Sequence, residues 1–311
     1  MSSSGIKTRE IDTRTRTGSL PDFDSLWDYD LPGPTEKKFR ELLPTALESL
    51  NISYFAELLT QIARAQTMQG KFQEAKKTLD RVEKALPKAR QGVSIRYMLE
   101  RGRVLSSTGK PREAKPFFQD AYNNSRVFRM DQHTIDAARM LSIAEPDKAL
   151  DWNLQALELT EKSGDDKVRN GMGSLYNSIG WNYFDRKQYQ ESLFMLQKAL
   201  EFYEQQGDPL KIRNAKWSVA KVLRFIDHTE EALEMQRGLF DEYQAERQRN
   251  GYVYEELAEC LLALGQEMEA QEWFAAAYAE LSKDPRINRE QNRLNRIKQL
   301  GQVGRHRPMS A

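Results

Sequence analysis

The chain has 311 residues, 39% hydrophobic and 30% charged, and its 47 Lys plus Arg nearly cancel its 46 Asp plus Glu. That balance excludes a global field drawing the chain to nucleic acid or a membrane surface, while the apolar content is too high for disorder throughout. A single cysteine, Cys260, excludes an internal disulfide, and no apolar run approaches the roughly 18 residues of a membrane span. The opening residues lack the apolar core of a secretion signal, and Glu10 and Asp12 argue against a transit peptide. A cytoplasmic location is the expectation.

Residues 1–34 are expected to be largely disordered, with one distinctive stretch. "DFDSLWDYD", residues 22–30, carries four aspartates and the rings of Phe23, Trp27 and Tyr29 without a basic residue. Residues 35–55 follow as an N-terminal capping segment whose apolar face is Phe39, Leu42, Leu43, Ala46 and Leu50, interrupted at Pro44.

From residue 56 to 282 the sequence repeats. A small residue between a charged and an apolar one recurs at Ala75, Ala114, Ala149, Ser192, Ala232 and Ala270, at spacings of 39, 35, 43, 40 and 38. Twelve residues before each stands another small residue: Ala63, Gly102, Ala137, Gly180, Ala220 and Ala258. Seven residues after stand Val82, Ala121, Ala156, Ala199, Leu239 and Ala277. Small residues at fixed offsets let two helices approach closely, so each unit reads as a helix hairpin. Gly70, Gly109 and Gly265 fall where a first helix ends and a left-handed cap is wanted. In "NGMGSLYN" the glycines read as an inter-repeat loop, with Ser174 as the cap of the helix that follows.

The clearest unit, "YNSIGWNYFDRKQYQESLFMLQKAL", resembles the tetratricopeptide repeat family through Gly180, Tyr183, Ser192, Leu196 and Ala199. The resemblance implies an all-α fold, a right-handed superhelix (α-solenoid) of six stacked hairpins, and work as a protein-binding scaffold. Pro87 alone occupies the family's closing proline position; Arg126, Glu161, Glu204, Gln244 and Ser282 stand there in the other units, so their second helices should run on by a turn. The long periods resemble the elongated repeats of kinesin light chains and cell-polarity adaptors. Asn153 and Gln236 replace an expected aromatic, which predicts looser third and fifth units. Residues 283–303 read as a C-terminal capping helix with Ile287, Leu294, Ile297 and Leu300 on one side and Arg289, Arg293 and Arg296 on the other, and 304–311 as a tail.

Neither metal nor cofactor is expected. His133, His228 and His306 share no ligand spacing, "STGKPREA" lacks the residues of a phosphate loop, and nothing assembles a nucleophile, base and oxyanion site.

The face of the first helices left over by hairpin packing should line a concave groove. It carries Arg64, Arg96, Arg103, Asn177, Trp181, Asn214, Trp217, Lys221 and Arg224, and turns acidic in the last unit at Glu255 and Glu259. Amides can pair with a peptide backbone, arginines with carboxylates, and indoles with apolar side chains. The leading expectation is therefore a non-catalytic scaffold or adaptor holding an extended acidic or acidic-aromatic segment of a partner protein. The alternative is RNA binding through the groove cations and the basic C-terminal run, against which stand the neutral net charge and irregular periods. Nucleic acid is the less expected partner, and the oligomeric state is left open. Residues 22–30 complement such a groove and resemble the acidic tryptophan-containing peptides that kinesin light chains accept. Phe23, Trp27 and Tyr29 thus have two open roles, as an intramolecular ligand or as a cover for the first hairpin.

Overall fold

The computed structural model describes residues 20–284, 287 and 290–301 of the chain. Among them all regular structure is helical. The chain divides into two compact units, residues 1–117 and 118–311.

The first unit begins with a short turn, Asp24–Leu26, and then α1 (Pro32–Glu41), α2 (Leu43–Glu48), α3 (Ile52–Met68), α4 (Phe72–Ala85) and α5 (Gln91–Ser107). Its core joins Phe23, Phe39 and Ala46 to Leu58, Leu59, Ile62, Ala63, Ala75, Leu79 and Val82. Residues 20–34, expected in a largely disordered segment, are thus part of the fold, and α1 starts at Pro32 because the prolines sit in its first turn, where no amide is needed. The break at Leu42, with Pro44 opening α2, follows from the same chemistry.

α6 (Pro111–Val127) contains the division between the units. The second unit continues with α7 (Asp131–Ala144), α8 (Ala149–Lys162), a single turn α9 (Asp166–Arg169), α10 (Met172–Asp185), α11 (Tyr189–Gln206), α12 (Pro209–Phe225), α13 (Thr229–Ala245), α14 (Gly251–Ala263), α15 (Glu267–Leu281) and α16 (Gln291–Leu300). Within this unit the helices pack in pairs, α7 on α8, α10 on α11, α12 on α13 and α14 on α15, and the second helices α8, α11 and α13 also touch the next first helices α10, α12 and α14. This is the α-solenoid arrangement.

The repeated small residues sit at the helix contacts. Ala63, Ala75, Ala137, Ala220, Ala232 and Ala258 are completely buried, as are Ser192, Ala156 and Ala199. Gly180 shows why size matters: a Cβ added there would lie 2.6 Å from Leu196 Cγ and 3.3 Å from the Ser192 carbonyl. Gly70, Gly109 and Gly265 adopt φ of 74°, 79° and 74°, and Lys187 and Asp227 take the same left-handed conformation at the matching turns without the freedom of glycine. α4 stops at Ala85 ahead of Pro87, whereas α11 and α13 run on to Gln206 and Ala245.

Two local expectations change. Ser174 does not cap α10; it lies inside the first turn, where its hydroxyl donates to the Gly171 carbonyl at 2.9 Å instead of accepting from an amide. The aromatic-for-amide replacements differ from each other. Asn153 is buried and donates to Asn182 Oδ1 at 2.8 Å, while Gln236 is fully buried with neither polar atom paired.

Replacing Gly180 by Arg is expected to lower stability by roughly 3 kcal/mol or more, through overpacking and burial of charge. Gly180→Ala should cost only about 1 kcal/mol, because gained helix propensity offsets part of the clash. Denaturant melts of the two variants check the order, and an unchanged midpoint for Gly180→Arg would overturn the assignment of this contact.

Candidate functional site

In five of the six repeats the first helix carries a recurring, mostly polar pair of positions about the small contact residue; the third repeat has Ile135 and Ala138 there instead. One member stands two residues before the small contact residue: Gln61, Glu100, Ser178, Ser218 and Glu256. The other stands one residue after it: Arg64, Arg103, Trp181, Lys221 and Glu259. The first member is set deep between helices, with Gln61, Glu100 and Glu256 each 1% exposed.

In the first unit Glu100 Oε1 accepts from Arg103 at 2.6 Å and lies 3.6 Å from Arg64 of the preceding repeat. Arg96 pairs back to Glu57 at 3.5 Å. In the second unit Glu256 accepts from Lys221 at 2.7 Å and from Arg224 at 2.9 Å, both on the preceding first helix α12. Burial alone would push the Glu256 carboxyl up, but Lys221 and Arg224 together hold it below the usual range. Burial, then the nearby Glu256 carboxylate, pushes the Cys260 thiol up to about 12, so it stays protonated at neutral pH. The five cations expected to greet an acidic ligand, Arg64, Arg96, Arg103, Lys221 and Arg224, therefore each face an internal carboxylate.

The N-terminal stretch enters the same scheme. Trp27 Nε1 donates to Gln61 Oε1 at 2.7 Å, which gives the first repeat the partner that a preceding repeat would supply. Phe23 is 6% exposed, stacked on Tyr54 with centroids 4.6 Å apart and edge-on to Phe39 at 6.2 Å. Trp27 and Tyr29 stack at 4.8 Å, and the Arg64 guanidinium lies 5.8 Å and 5.5 Å from their centroids. At the other end α16 plays the equivalent part: Arg293 holds Glu255 at 2.5 Å and Arg296 pairs with Glu259. The acidic last unit and the basic C-terminal helix thus neutralise each other; Arg289 and residues 304–311 lie outside the described residues.

In the fourth and fifth repeats, where no complete ionic pair is present, aromatic residues gather. In the fourth repeat Trp181 replaces the cation, and Ser218 replaces the acid in the fifth. Trp181 lies 6.0 Å from Trp217 and 5.2 Å from Phe184, and Trp217 is edge-on to Tyr252 at 6.4 Å. Trp217 Nε1 donates to the Tyr252 carbonyl at 3.1 Å, and Lys221 Nζ sits 5.0 Å from its ring. Beside these rings opens a cleft of about 280 Å³ in the second unit, lined by Asn177, Trp181, Asn214 and Trp217 from the expected set. Its remaining lining is Tyr252 and five residues that sequence reading did not single out, Arg213, Ser218, Tyr243, Asn250 and Val253. Asn250 caps α14 by accepting from the Tyr252 and Val253 amides at 3.0 and 3.4 Å, so its NH2 group remains as a donor. Arg64, Arg96 and Arg103 belong to the first unit and line no part of this cleft. Among the described residues no group of His, Cys, Asp and Glu is placed to hold a metal, and no helix is long and apolar enough to cross a membrane.

Residues 173–205, the span of α10 and α11, match the tetratricopeptide repeat family model. No curated protein matches the chain in sequence. Solved structures share the fold at low identity. BtubC (BKLC) from P. vanneervenii is 13% identical with a TM-score of 0.57, over 74% of this chain and 94% of that one. The apo form of RapI is 9% identical with a TM-score of 0.68, over 85% and 75%. NprR, solved with its cognate peptide NprX, is 14% identical with a TM-score of 0.56, over 92% and 84%.

Two outcomes follow from the paired groups. The depressed Glu256 carboxyl contributes stability that is complete above about pH 4.5 and is lost as pH falls through its lower folded value. Glu256→Gln should therefore destabilise the chain by about 3 kcal/mol at pH 7, where it strands two cations, and should flatten the acid limb of the stability profile measured by thermal melts from pH 7 to 3. Removal of residues 1–31 should lower stability by about 3 kcal/mol or more, as Phe23 and Trp27 leave the core. An intramolecular-ligand role instead requires unchanged stability and tighter partner binding, and the same melts and a binding assay separate the two.

Proposed function

We propose that this tetratricopeptide-repeat chain is a non-catalytic scaffold that holds an extended, aromatic-bearing segment of a partner protein in the cleft of its second unit. The observation that carries this reading is the joining of amides and indoles at one place. Asn177 and Asn214 can each pair with a peptide amide in both directions, beside the half-buried rings of Trp181, Trp217 and Tyr252. Aromatic rings set at angles to one another beside side-chain amides suit an extended chain, whose side chains alternate and whose backbone leaves donors and acceptors unpaired. The solved relative NprR holds a peptide in its crystal structure, which supports the same use of this architecture. The acidic character of the segment is narrower than charge counting suggests, since Lys221 and Arg224 already bind Glu256. An adaptor role in the cytoplasm is consistent with these features.

Selection of a random-sequence peptide library on the intact chain tests the proposal. Enriched peptides should share a large aromatic residue, and the exposed-face double variant Asn177→Ala/Asn214→Ala should bind them about tenfold more weakly with unchanged helicity. Absence of enrichment, or equal binding by the double variant, would remove the cleft as the site.

A further inference from the structure

The rings of the cleft are one end of a longer run. From Trp217 and Trp181, 6.0 Å apart, it continues to Phe184 near the end of α10, 5.2 Å from Trp181, and then to Phe225 at the end of α12, 4.8 Å from Phe184. Tyr189 of α11 closes the group, 5.4 Å from Phe184 and 5.3 Å from Phe225. Phe225 is 40% exposed, and none of these last three rings lines the cleft. Spacings of three residues in α10 and eight in α12 keep each pair of rings on one helix face.

The polar groups beside these rings favour donation. Asn250 has committed its oxygen to the Tyr252 and Val253 amides, and the Tyr252 carbonyl is taken by Trp217 Nε1. The Asn250 NH2 and the Trp181 indole N–H have no partner among the described residues, and both reach solvent. Neither group can accept. The amides of Asn177 and Asn214 can do either, and no carboxylate lines the cleft. Free charge is also absent: Lys221 and Arg224 hold Glu256, and Arg213 holds Glu246. An ordinary extended segment brings one N–H for each carbonyl and finds few acceptors here. A proline-rich one brings carbonyls without N–H groups, carries no charge to desolvate, and offers ring faces that pack on indole and phenyl rings. Its polyproline II form is ordered before binding and rises about 3.1 Å per residue, so neighbouring rings of the run lie about two residues apart along it.

We infer that the segment held in this cleft is an uncharged, proline-rich polyproline II helix, whose carbonyls accept from Trp181 Nε1 and the Asn250 NH2 and whose rings continue beyond the cleft over Phe184 and Phe225. This rests on the peptide-binding reading and gives it a ligand class: prolines flanking the aromatic residue, in place of an acidic run. It also adds a second contact, outside the cleft, at the ends of α10 and α12.

The test uses the full chain and labelled synthetic nonapeptides of Pro and Ser bearing one Trp at varied positions, with a matched set carrying Ala for every Pro. Binding is read by fluorescence anisotropy. The best proline peptide should bind about tenfold more tightly than its alanine counterpart, because its backbone is ordered beforehand. Asn250→Asp keeps an acceptor for the α14 cap while removing the NH2 group. It should narrow the preference about threefold, since the new carboxylate accepts from alanine N–H groups and repels proline carbonyls. Phe225→Ala, which trims an exposed ring, should weaken the proline peptides about threefold with unchanged helicity. Equal binding of the two sets by the intact chain, or tighter binding of the alanine set, overturns the proline-rich class while leaving the peptide cleft standing. A proline preference that neither variant alters places its origin elsewhere and likewise overturns the inference. If Phe225→Ala fails to fold, the Asn250→Asp arm decides alone. No binding of either set overturns the class as well, and if the random library also shows no enrichment, the peptide-binding reading falls with it.

Discussion

Two helices can close to backbone contact only where neither carries a bulky side chain, and this chain meets that condition at regular intervals. Gly180 against Leu196 and Ser192 is one such place, where an added Cβ would press on the Leu196 side chain. Once that contact is set, the helical period fixes where every other residue of the hairpin points. The positions two before and one after the contact residue then fall between successive first helices, so that packing inside one hairpin decides which side chains meet the next.

Those positions are filled differently from repeat to repeat, and two of the fillings contrast. Where they hold glutamate and a cation, as at Glu256 with Lys221 and Arg224, burial makes each group costly alone and acceptable together. Such a pair fixes the register of neighbouring repeats and leaves little charge for a ligand. Where they hold Trp181 and Ser218, no ion pair closes the space, and indole faces and amides line an open cleft instead. The candidate site lies where the ionic scheme is interrupted.

The hairpins were legible because size periodicity is a local property: a small residue every twelve and every forty positions or so has one simple packing solution. The fourth unit, clearest in sequence, is also the span that matches the repeat family. The site was legible only in part. Asn177, Trp181, Asn214 and Trp217 emerged from the helical phase alone, since residues on one helix face stay together. Arg213 did not, because it sits one residue off that face and packs against Tyr243 of α13 and Glu246 just past its end. The pairing of Arg64 and Lys221 was hidden for a similar reason: Glu100 and Glu256 look like solvated surface acids in sequence and are buried only through contact with the neighbouring repeat. Their shared offset from Gly102 and Ala258 was the available signal. Gln236 has no such account; it occupies an aromatic position, fully buried and unpaired.

Stacks of repeats with open terminal faces join head to tail, and a head-to-tail contact that does not close on itself grows into a filament. Here a second copy arriving at the first repeat would find Gln61 Oε1 held by Trp27 and the apolar surface above Phe39 covered by Phe23. One arriving at the last repeat would find Glu255 and Glu259 held by Arg293 and Arg296, with Leu294 and Ile297 already seated. The segment that begins as an acidic aromatic oddity in the sequence thus covers the outer side of the first hairpin, as α16 covers that of the last, and both apolar faces are satisfied within the chain.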